Sequence, residues 1–189
     1  KIIIFRTLNR GQDWENVTID ASNAFSGVQL TGQPDILSLI FIDAQNGWLL
    51  ISGTGGGLGS QDVALYGTKD GGITWSLLAE ASQVQPSSGG LPVEGMKSGV
   101  RFANTKNGWL TGLSHGNTIW LYATHDGGIT WQTQELVAPE GFSTMGGSVS
   151  TQPPFFFSSQ EGLLPVQFHE EGQPIVFYVT HDGGASWAP

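Results

Sequence analysis

An eight-residue pattern returns three times along this chain and constrains its fold more than any other feature. The pattern reads Thr-x-Asp-Gly-Gly-x-Thr/Ser-Trp, and its copies span residues 68–75, 124–131 and 180–187. The spacing from one copy to the next is 56 residues in both cases. A degenerate copy over residues 7–14 has Asn in place of the Asp. Self-similarity at a fixed period predicts one supersecondary unit repeated along the chain.

The residue types in this octet are typical of a tight hairpin turn. Asp-Gly-Gly tolerates positive φ, and the Asp carboxylate can accept hydrogen bonds from the amides of the turn. The flanking Thr or Ser residues suit strand ends, and the Trp ring can pack over the turn. Each copy holds one carboxylate whereas a calcium loop needs several oxygen ligands, so we predict no metal there. The predicted structural residues of the turns are Asp70, Gly72, Trp75, Asp126, Gly128, Trp131, Asp182, Gly184 and Trp187.

A second motif lies upstream of each turn. Residues 41–49 and 102–110 begin with Phe and end in Asn-Gly-Trp-Leu, whereas residues 156–164 keep the Phe, the Gly and the final Leu but have lost the Trp. Asn-Gly between apolar runs is a hairpin signal. Each repeat therefore holds two hairpins, or four strands, which is the composition of one propeller blade.

The octets resemble Asp boxes, also called bacterial neuraminidase repeats (BNR), which mark the turn between the third and fourth strands of β-propeller blades. Their pairing with the Asn-Gly-Trp-Leu motif resembles in particular the photosystem II stability/assembly factor-like branch, which includes exported bacterial proteins. The resemblance covers nearly the whole chain through three repeats, and it implies an all-β β-propeller of four-stranded antiparallel blades. Sialidases and xyloglucan hydrolases share the box, so the box implies a fold and not an activity.

The repeats predict a single propeller segment of about three blades over residues 1–189. We assign half a blade to residues 1–20, full blades to 35–81 and 99–137, and an incomplete blade to 155–189. Propellers close with four to eight blades, and an open end exposes strand edges that invite pairing. We therefore expect additional blades or self-association to close the ring.

Composition narrows the classes of partner. The net charge of −9, with 7 Lys and Arg residues in all, argues against nucleic acid, whose phosphates need basic clusters. No apolar run is long enough for membrane insertion, no cysteine is present, and no cofactor is expected. The first residue is Lys1, so we expect that a leader or an upstream domain has been removed. With the resemblance, this favours an extracytoplasmic or secreted bacterial protein.

Candidate binding residues lie in longer loops that we place on the propeller side opposite the Asp boxes, since long loops on a rigid scaffold usually carry function. The Gly-rich stretch 53–59 is predicted to be a flexible loop, and Asp62 a loop carboxylate. The histidines at 115 and 169 occupy matching positions in adjacent repeats, and the pattern fits either a binding pair or two solvated side chains. The candidate set is His115, His169, Glu170, Glu171, Glu94, Glu140 and Phe142.

Catalysis is the less favoured interpretation. The sialidase family binds its substrate carboxylate with three arginines, and two of the three arginines here, Arg6 and Arg10, belong to the first box region. Xyloglucan-type hydrolases use two carboxylates across a cleft, and nothing in the sequence pairs two. We predict no catalytic residue and a non-catalytic scaffold for protein or ligand binding. The alternative is a fragment of a sialidase-like or xyloglucanase-like glycoside hydrolase, or a glycan-binding module.

Overall fold

The computed structural model describes residues 1–21, 24–25, 34–57, 59–82, 90–114, 118–144, 149–169, 172 and 174–189. Within these ranges the chain forms fourteen β-strands and no α-helix. The same ranges contain no helix with the length and apolar character needed to cross a bilayer. The strands are β1 (Ile2–Arg6), β2 (Glu15–Ile19), β3 (Asp35–Phe41), β4 (Gly47–Gly57), β5 (Ser60–Thr68), β6 (Ser76–Ala81), β7 (Met96–Phe102), β8 (Gly108–Ser114), β9 (Leu121–Thr124), β10 (Gln132–Thr133), β11 (Val149–Thr151), β12 (Phe155–Phe156), β13 (Gly162–Phe168) and β14 (Ile175–Thr180).

The strands pair antiparallel in chain order, as in the blades of a β-propeller. Strands β3 to β6 form a four-stranded sheet, blade 1. Strands β7 to β10 pair in the same way and form blade 2, and β12 to β14 form blade 3. Strands β1 and β2 form a half-blade. The predicted all-β propeller architecture, present as a partial ring, is confirmed.

Strand β11 was not predicted, because it lies between the blades that the sequence analysis assigned to residues 99–137 and 155–189. It pairs with the far end of β8 through Val149 and Ser150, and with the far end of β13 through the same residues and Thr151. Blades 2 and 3 thereby share one eight-stranded sheet. A three-residue strand is too short for an alternating pattern to be recognised.

Gly53–Gly57 of the Gly-rich stretch belong to strand β4, so the prediction of a flexible loop was wrong there. Gly56 pairs with Gln61 and Gly57 with Ser60, which lengthens the β4–β5 hairpin. Asp62 is accordingly a buried residue of β5 and not a loop carboxylate. Glycine lowers strand propensity because it has no side chain to pack, but its backbone pairs like any other once the neighbouring residues fix the register.

Hydrophobic cores lie between successive blades. Between blades 1 and 2 the Trp48 ring stacks on Phe102, with centroids 3.8 Å apart and planes within 4°. Between blades 2 and 3 the Trp109 ring packs on Phe156 at 5.0 Å and meets the Trp187 ring edge-on at 6.0 Å. Adjacent side chains on a strand point to opposite faces. Each central strand therefore contributes side chains to the hydrophobic cores on both sides of its blade.

Candidate functional site

The Asp boxes are closed hydrogen-bonded turns. In the second box the Thr124 hydroxyl donates to Asp126 Oδ1 at 2.9 Å and accepts from the Gly128 amide at 3.0 Å. The Thr130 amide and hydroxyl donate to the two oxygens of Asp126 at 3.0 and 2.6 Å. The Trp131 indole donates to the Gly128 carbonyl at 3.1 Å. The first and third boxes repeat the hydroxyl–carboxylate bonds with Asp70 and Asp182.

The degenerate first copy closes the same turn with an amide. Asn9 Oδ1 accepts from the Thr7 hydroxyl at 3.0 Å and from the Asp13 amide at 2.8 Å. Its Nδ2 donates to the Asp13 carboxylate at 2.6 Å. The turn therefore requires an oxygen acceptor at this position, and a full negative charge is not essential to its geometry.

Each box also connects two blades, because its carbonyls accept hydrogen bonds from the preceding blade. Arg6 of the half-blade donates to the Gly71 carbonyl at 3.0 Å. The Trp48 indole of blade 1 donates to the Gly127 carbonyl at 2.9 Å. Within blade 2 the Trp109 indole donates to the side-chain carbonyl of Gln134 at 2.9 Å. The side-chain amide of Gln134 in turn donates to the Gly184 carbonyl of blade 3 at 2.9 Å. The box turns thus hold blades together.

Hydrogen bonds lower the pKa of the box acids from the ordinary 3.8 to about 2. For Asp70 the bonds from the Thr74 side chain and amide are the main cause. For Asp126, partial burial raises the pKa, but the bonds from Thr130 and Thr124 outweigh it. A carboxyl whose pKa is depressed in the folded state stabilises the fold above its unfolded pKa, and this contribution is lost as the pH falls from about 4 to about 2.

We expect Asp126→Ala to lower the free energy of unfolding by about 1 kcal/mol at neutral pH, because its hydrogen bonds are largely exposed to water. Asp126→Asn should retain more of this stability, as Asn9 does in the first turn. Melting temperatures measured from pH 7 to pH 2 should fall less steeply below pH 4 in both variants than in the parent chain. An identical acid dependence in all three proteins would show that this carboxylate is not coupled to folding.

A cavity of about 370 Å³ opens on the box side, between the boxes of blades 1 and 2. The sequence analysis did not foresee it, since the cavity forms where turns of separate repeats meet. Its walls combine apolar and charged side chains, including Asn46, Trp48, Lys69, Asp70, Asp126 and Ile129.

On the opposite side, Glu94 lies at the junction of blades 1 and 2. The Tyr122 hydroxyl donates a hydrogen bond to its carboxylate. Burial and this hydrogen bond raise the pKa of Tyr122. The backbone of Glu94 bridges to Ser60 at the tip of the β4–β5 hairpin. Glu94 therefore links the two blades, and its carboxylate already has a partner.

A buried lysine that the sequence analysis missed lies beside Glu94. The Lys97 ammonium contacts four carbonyl oxygens at 2.9–3.2 Å, those of Gln61, Val93, Glu94 and Gly95. Burial lowers the pKa of Lys97 to about 8, although the nearby acidic charges act in the opposite direction. Backbone carbonyls accept its hydrogen bonds, so we assign Lys97 a structural role at the blade junction and not a chemical one. The sequence offered no signal for its burial, because β7 holds a second charge, Arg101, that is only partly buried.

A second group of candidates lies at the junction of blades 2 and 3. His169 is exposed at the end of β13, and its Nε2 is 3.0 Å from the Ser150 hydroxyl of β11. The Phe142 ring packs on Phe168, with centroids 4.9 Å apart. Glu140 is exposed in the turn that the Phe142 amide closes onto Pro139. We call Glu140, Phe142, Ser150 and His169 the loop-side cluster.

The structure separates the predicted site residues into these two junctions. Glu94 belongs to the first junction, whereas Glu140, Phe142 and His169 belong to the second. His115, Glu170 and Glu171 lie outside the described residues. Within the part of the chain that the structure describes, no group of three or more His, Asp and Glu side chains is placed to share a metal ion.

Comparison with known proteins identifies the repeat. A family model described as BNR/Asp-box repeat matches residues 122–133, the segment that contains the second box. No curated protein sequence matches the chain.

Several solved structures are similar to parts of this chain at low identity. An α-L-arabinofuranosidase from Fusarium graminearum is 15% identical over 76% of this chain and 44% of its own, with a TM-score of 0.46. The NanB sialidase from Streptococcus pneumoniae is 15% identical over 94% of this chain and 28% of its own, with a TM-score of 0.45. The structure described as YCF48 bound to D1 peptide is 15% identical over 85% of this chain and 82% of its own, with a TM-score of 0.30. The chain thus spans less than half of each of the two glycosidases.

Proposed function

We propose that this chain, a β-propeller segment built from BNR/Asp-box repeats, is a non-catalytic scaffold for protein or ligand binding. The observation that carries the proposal is that the carboxylates of the repeats are already engaged in hydrogen bonds. Asp70, Asp126 and Asp182 each accept hydrogen bonds from their own turn, and Glu94 is bonded to Tyr122. A glycosidase instead needs two carboxyl groups that face each other across the scissile bond.

The loop-side cluster is the surface that we propose for binding. It combines the exposed imidazole of His169 with the buried Ser150 hydroxyl that is bonded to it. The half-buried Phe142 ring and the exposed Glu140 carboxylate belong to the same blade junction. Such a mixture of apolar area with a few polar groups is typical of ligand sites. Ser150 lies on β11 and His169 directly follows β13, and these two strands pair in the shared sheet. A sugar ligand suits this chemistry, because its hydroxyls can pair with the polar groups while its ring face packs on Phe142.

The box-side cavity is the competing surface. Its acids, Asp70 and Asp126, are bonded to their own hairpins, and the box sequence varies little between copies. A surface made of near-identical turns has little freedom to encode a ligand, whereas the loops on the other side differ in every repeat. This difference favours the loop-side cluster. An extracytoplasmic location stays a prediction from the sequence resemblance.

The test uses a panel of neutral and sialylated glycans, read for binding, together with a fluorogenic sialoside, read for turnover. We expect binding without hydrolysis. His169→Ala should weaken binding by about tenfold or more. The matched control is His125→Ala, since His125 is also exposed and also makes one ring hydrogen bond, to Asn107 at 3.0 Å, but on the box side.

Each other outcome removes part of the proposal. Turnover of the sialoside would end the non-catalytic assignment. Loss of binding in His125→Ala with His169→Ala unchanged would place the site on the box side. Absence of binding to every glycan would exclude a sugar ligand, and a protein ligand would then be the remaining form of the scaffold.

A further inference from the structure

The box-side cavity lies at a junction where blade 1 lacks two long polar side chains that its neighbours have. Arg6 directly precedes the degenerate box, and Gly67 directly precedes the box of blade 1. Gln134 is the third residue after the box of blade 2, and Leu78 is the third residue after the box of blade 1. Gly67 and Leu78 both line the cavity.

At the two other junctions, these polar side chains extend to the box of the following blade. The Arg6 side chain is only 15% exposed, and its guanidinium donates to the Gly71 carbonyl at 3.0 Å and to the Glu15 carboxylate at 2.6 Å. The Gln134 side-chain amide donates to the Gly184 carbonyl at 2.9 Å. The fold therefore already binds a guanidinium group and an amide at positions equivalent to the cavity.

Blade 1 is connected to the following box by the Trp48 indole, which donates to the Gly127 carbonyl at 2.9 Å and lines the cavity. Gly67 has no side chain and the Leu78 side chain has no polar atom, so neither can donate a side-chain hydrogen bond to that box. A space of about 370 Å³ is left beside Trp48. Residues 67 and 78 lie outside the octets, so this space is specific to one junction although the box turns are nearly identical.

The charge on the cavity walls favours a cation. Asp70 and Asp126 line the cavity, and the pKa of each is about 2, so both are ionised at neutral pH. The Oδ2 atom of each accepts a hydrogen bond at 2.6 Å, from the Thr74 and Thr130 hydroxyls respectively. A carboxylate has about four acceptor sites on its two oxygens, so each Oδ2 can accept a second bond. Among the lining residues that the structure describes, Lys69 is the one cation.

We propose that this cavity binds the guanidinium group of an arginine side chain on a partner peptide or protein, in the position that Arg6 occupies at the preceding junction. A guanidinium is planar, and its five N–H donors can bond several oxygens at once. The carboxylates of Asp70 and Asp126 are the acceptors, and the methylene groups of the arginine pack on Leu78 and the edge of Trp48. The cavity lies on the side opposite the loop-side cluster, so it is a second site that is tested independently of the first.

The test titrates a blocked tripeptide, N-acetyl-Gly-Arg-Gly-amide, into the 189-residue chain and follows the Trp48 indole N–H by NMR. We expect it to bind at least about tenfold more tightly than the matching citrulline peptide, which has a similar shape but no charge. The matching lysine peptide should also bind more weakly, since an ammonium lacks the planar fork of donors. Free arginine should bind more weakly than the blocked peptide, because its carboxylate would approach two ionised acids.

Two pairs of variants locate the site. Leu78→Arg should place a guanidinium of the chain itself in the cavity and weaken binding of the arginine peptide by about tenfold or more. Leu77→Arg is its control, since Leu77 is the adjacent residue of β6, is exposed and lies outside the lining residues. Asp126→Asn should weaken binding about fivefold, because it removes a charge but keeps the oxygen acceptor of the turn, as Asn9 does. Asp182→Asn, the same change in the box of blade 3, should leave binding unchanged.

Circular dichroism of each variant checks that it is folded. Equal binding of the arginine and citrulline peptides, or an unchanged Trp48 resonance with every probe, would overturn the proposal. An equal loss in Leu77→Arg and Leu78→Arg would also overturn it, because added charge alone would then explain both results. Tighter binding of free arginine than of the blocked peptide would contradict a peptide or protein as the source of the guanidinium.

Discussion

Replacing Trp131 by Ala is expected to lower the free energy of unfolding by about 3–5 kcal/mol, the range for a large buried aromatic side chain. The Trp131 ring is buried between blades 1 and 2. It meets Phe102 edge-on with centroids 6.2 Å apart, and Phe102 in turn stacks on Trp48. Removal of the indole would leave a cavity beneath a turn that cannot collapse without breaking the box.

The matched control is Trp14→Ala in the degenerate box. The Trp14 indole donates to the Gly11 carbonyl at 3.1 Å, as the Trp131 indole does to the Gly128 carbonyl, but its ring is exposed. Its loss should cost less than about 1 kcal/mol. Denaturant unfolding followed by circular dichroism compares the two variants. Equal costs would mean that the turn bond, and not burial of the ring, determines the effect.

Gly184→Ala is expected to destabilise the chain by about 2–4 kcal/mol, from left-handed backbone strain and overpacking together. Gly184 has a φ of +87°, and an added Cβ would overlap the ring of Trp109. That ring is almost fully buried and is fixed by its bond to Gln134, so it cannot move aside.

Gly141→Ala separates the two causes of this loss. Gly141 has a φ of +85°, and an added Cβ there would meet nothing within 4 Å. Its substitution should cost only the backbone strain, about 1–2 kcal/mol. Thermal unfolding of both variants gives the difference, which measures the overlap with Trp109. A Gly184→Ala protein no less stable than the Gly141→Ala protein would show that blades 2 and 3 do not approach as closely as described.

The blades could be predicted because the turn residues that separate the strands of a blade lie within a single repeat. The Asp-Gly-Gly turn and the Asn-Gly turn are local signals, so strands such as Ile175–Thr180 follow from the sequence directly. Strand β11 could not be predicted, since its pairing depends on the distant ends of β8 and β13. The buried Lys97 also could not, because its carbonyl partners at residues 61 and 93–95 come from two separate segments.

The residues of the candidate site could be predicted from the sequence, but which of them lie close together could not. The sequence places Glu94, Glu140 and His169 in loops of the same side, which does not say which loops meet. The structure assigns Glu94 to a pair with Tyr122 and brings Phe142 onto Phe168 beside His169. Which loops meet is determined by the packing between blades, and that packing follows from side chains far from the loops themselves.

The hydrogen bonds that connect blades through the Asp boxes all run from an earlier blade to a later box. At the three junctions described, an earlier blade provides the donor, through Arg6, Trp48 or Gln134, and a later box provides the carbonyl. Synthesis proceeds from the amino terminus, and folding of the growing chain follows it. Each new box therefore emerges when its donor is already present, and nearest-neighbour coupling of this kind lets order propagate blade by blade, as in repeat proteins.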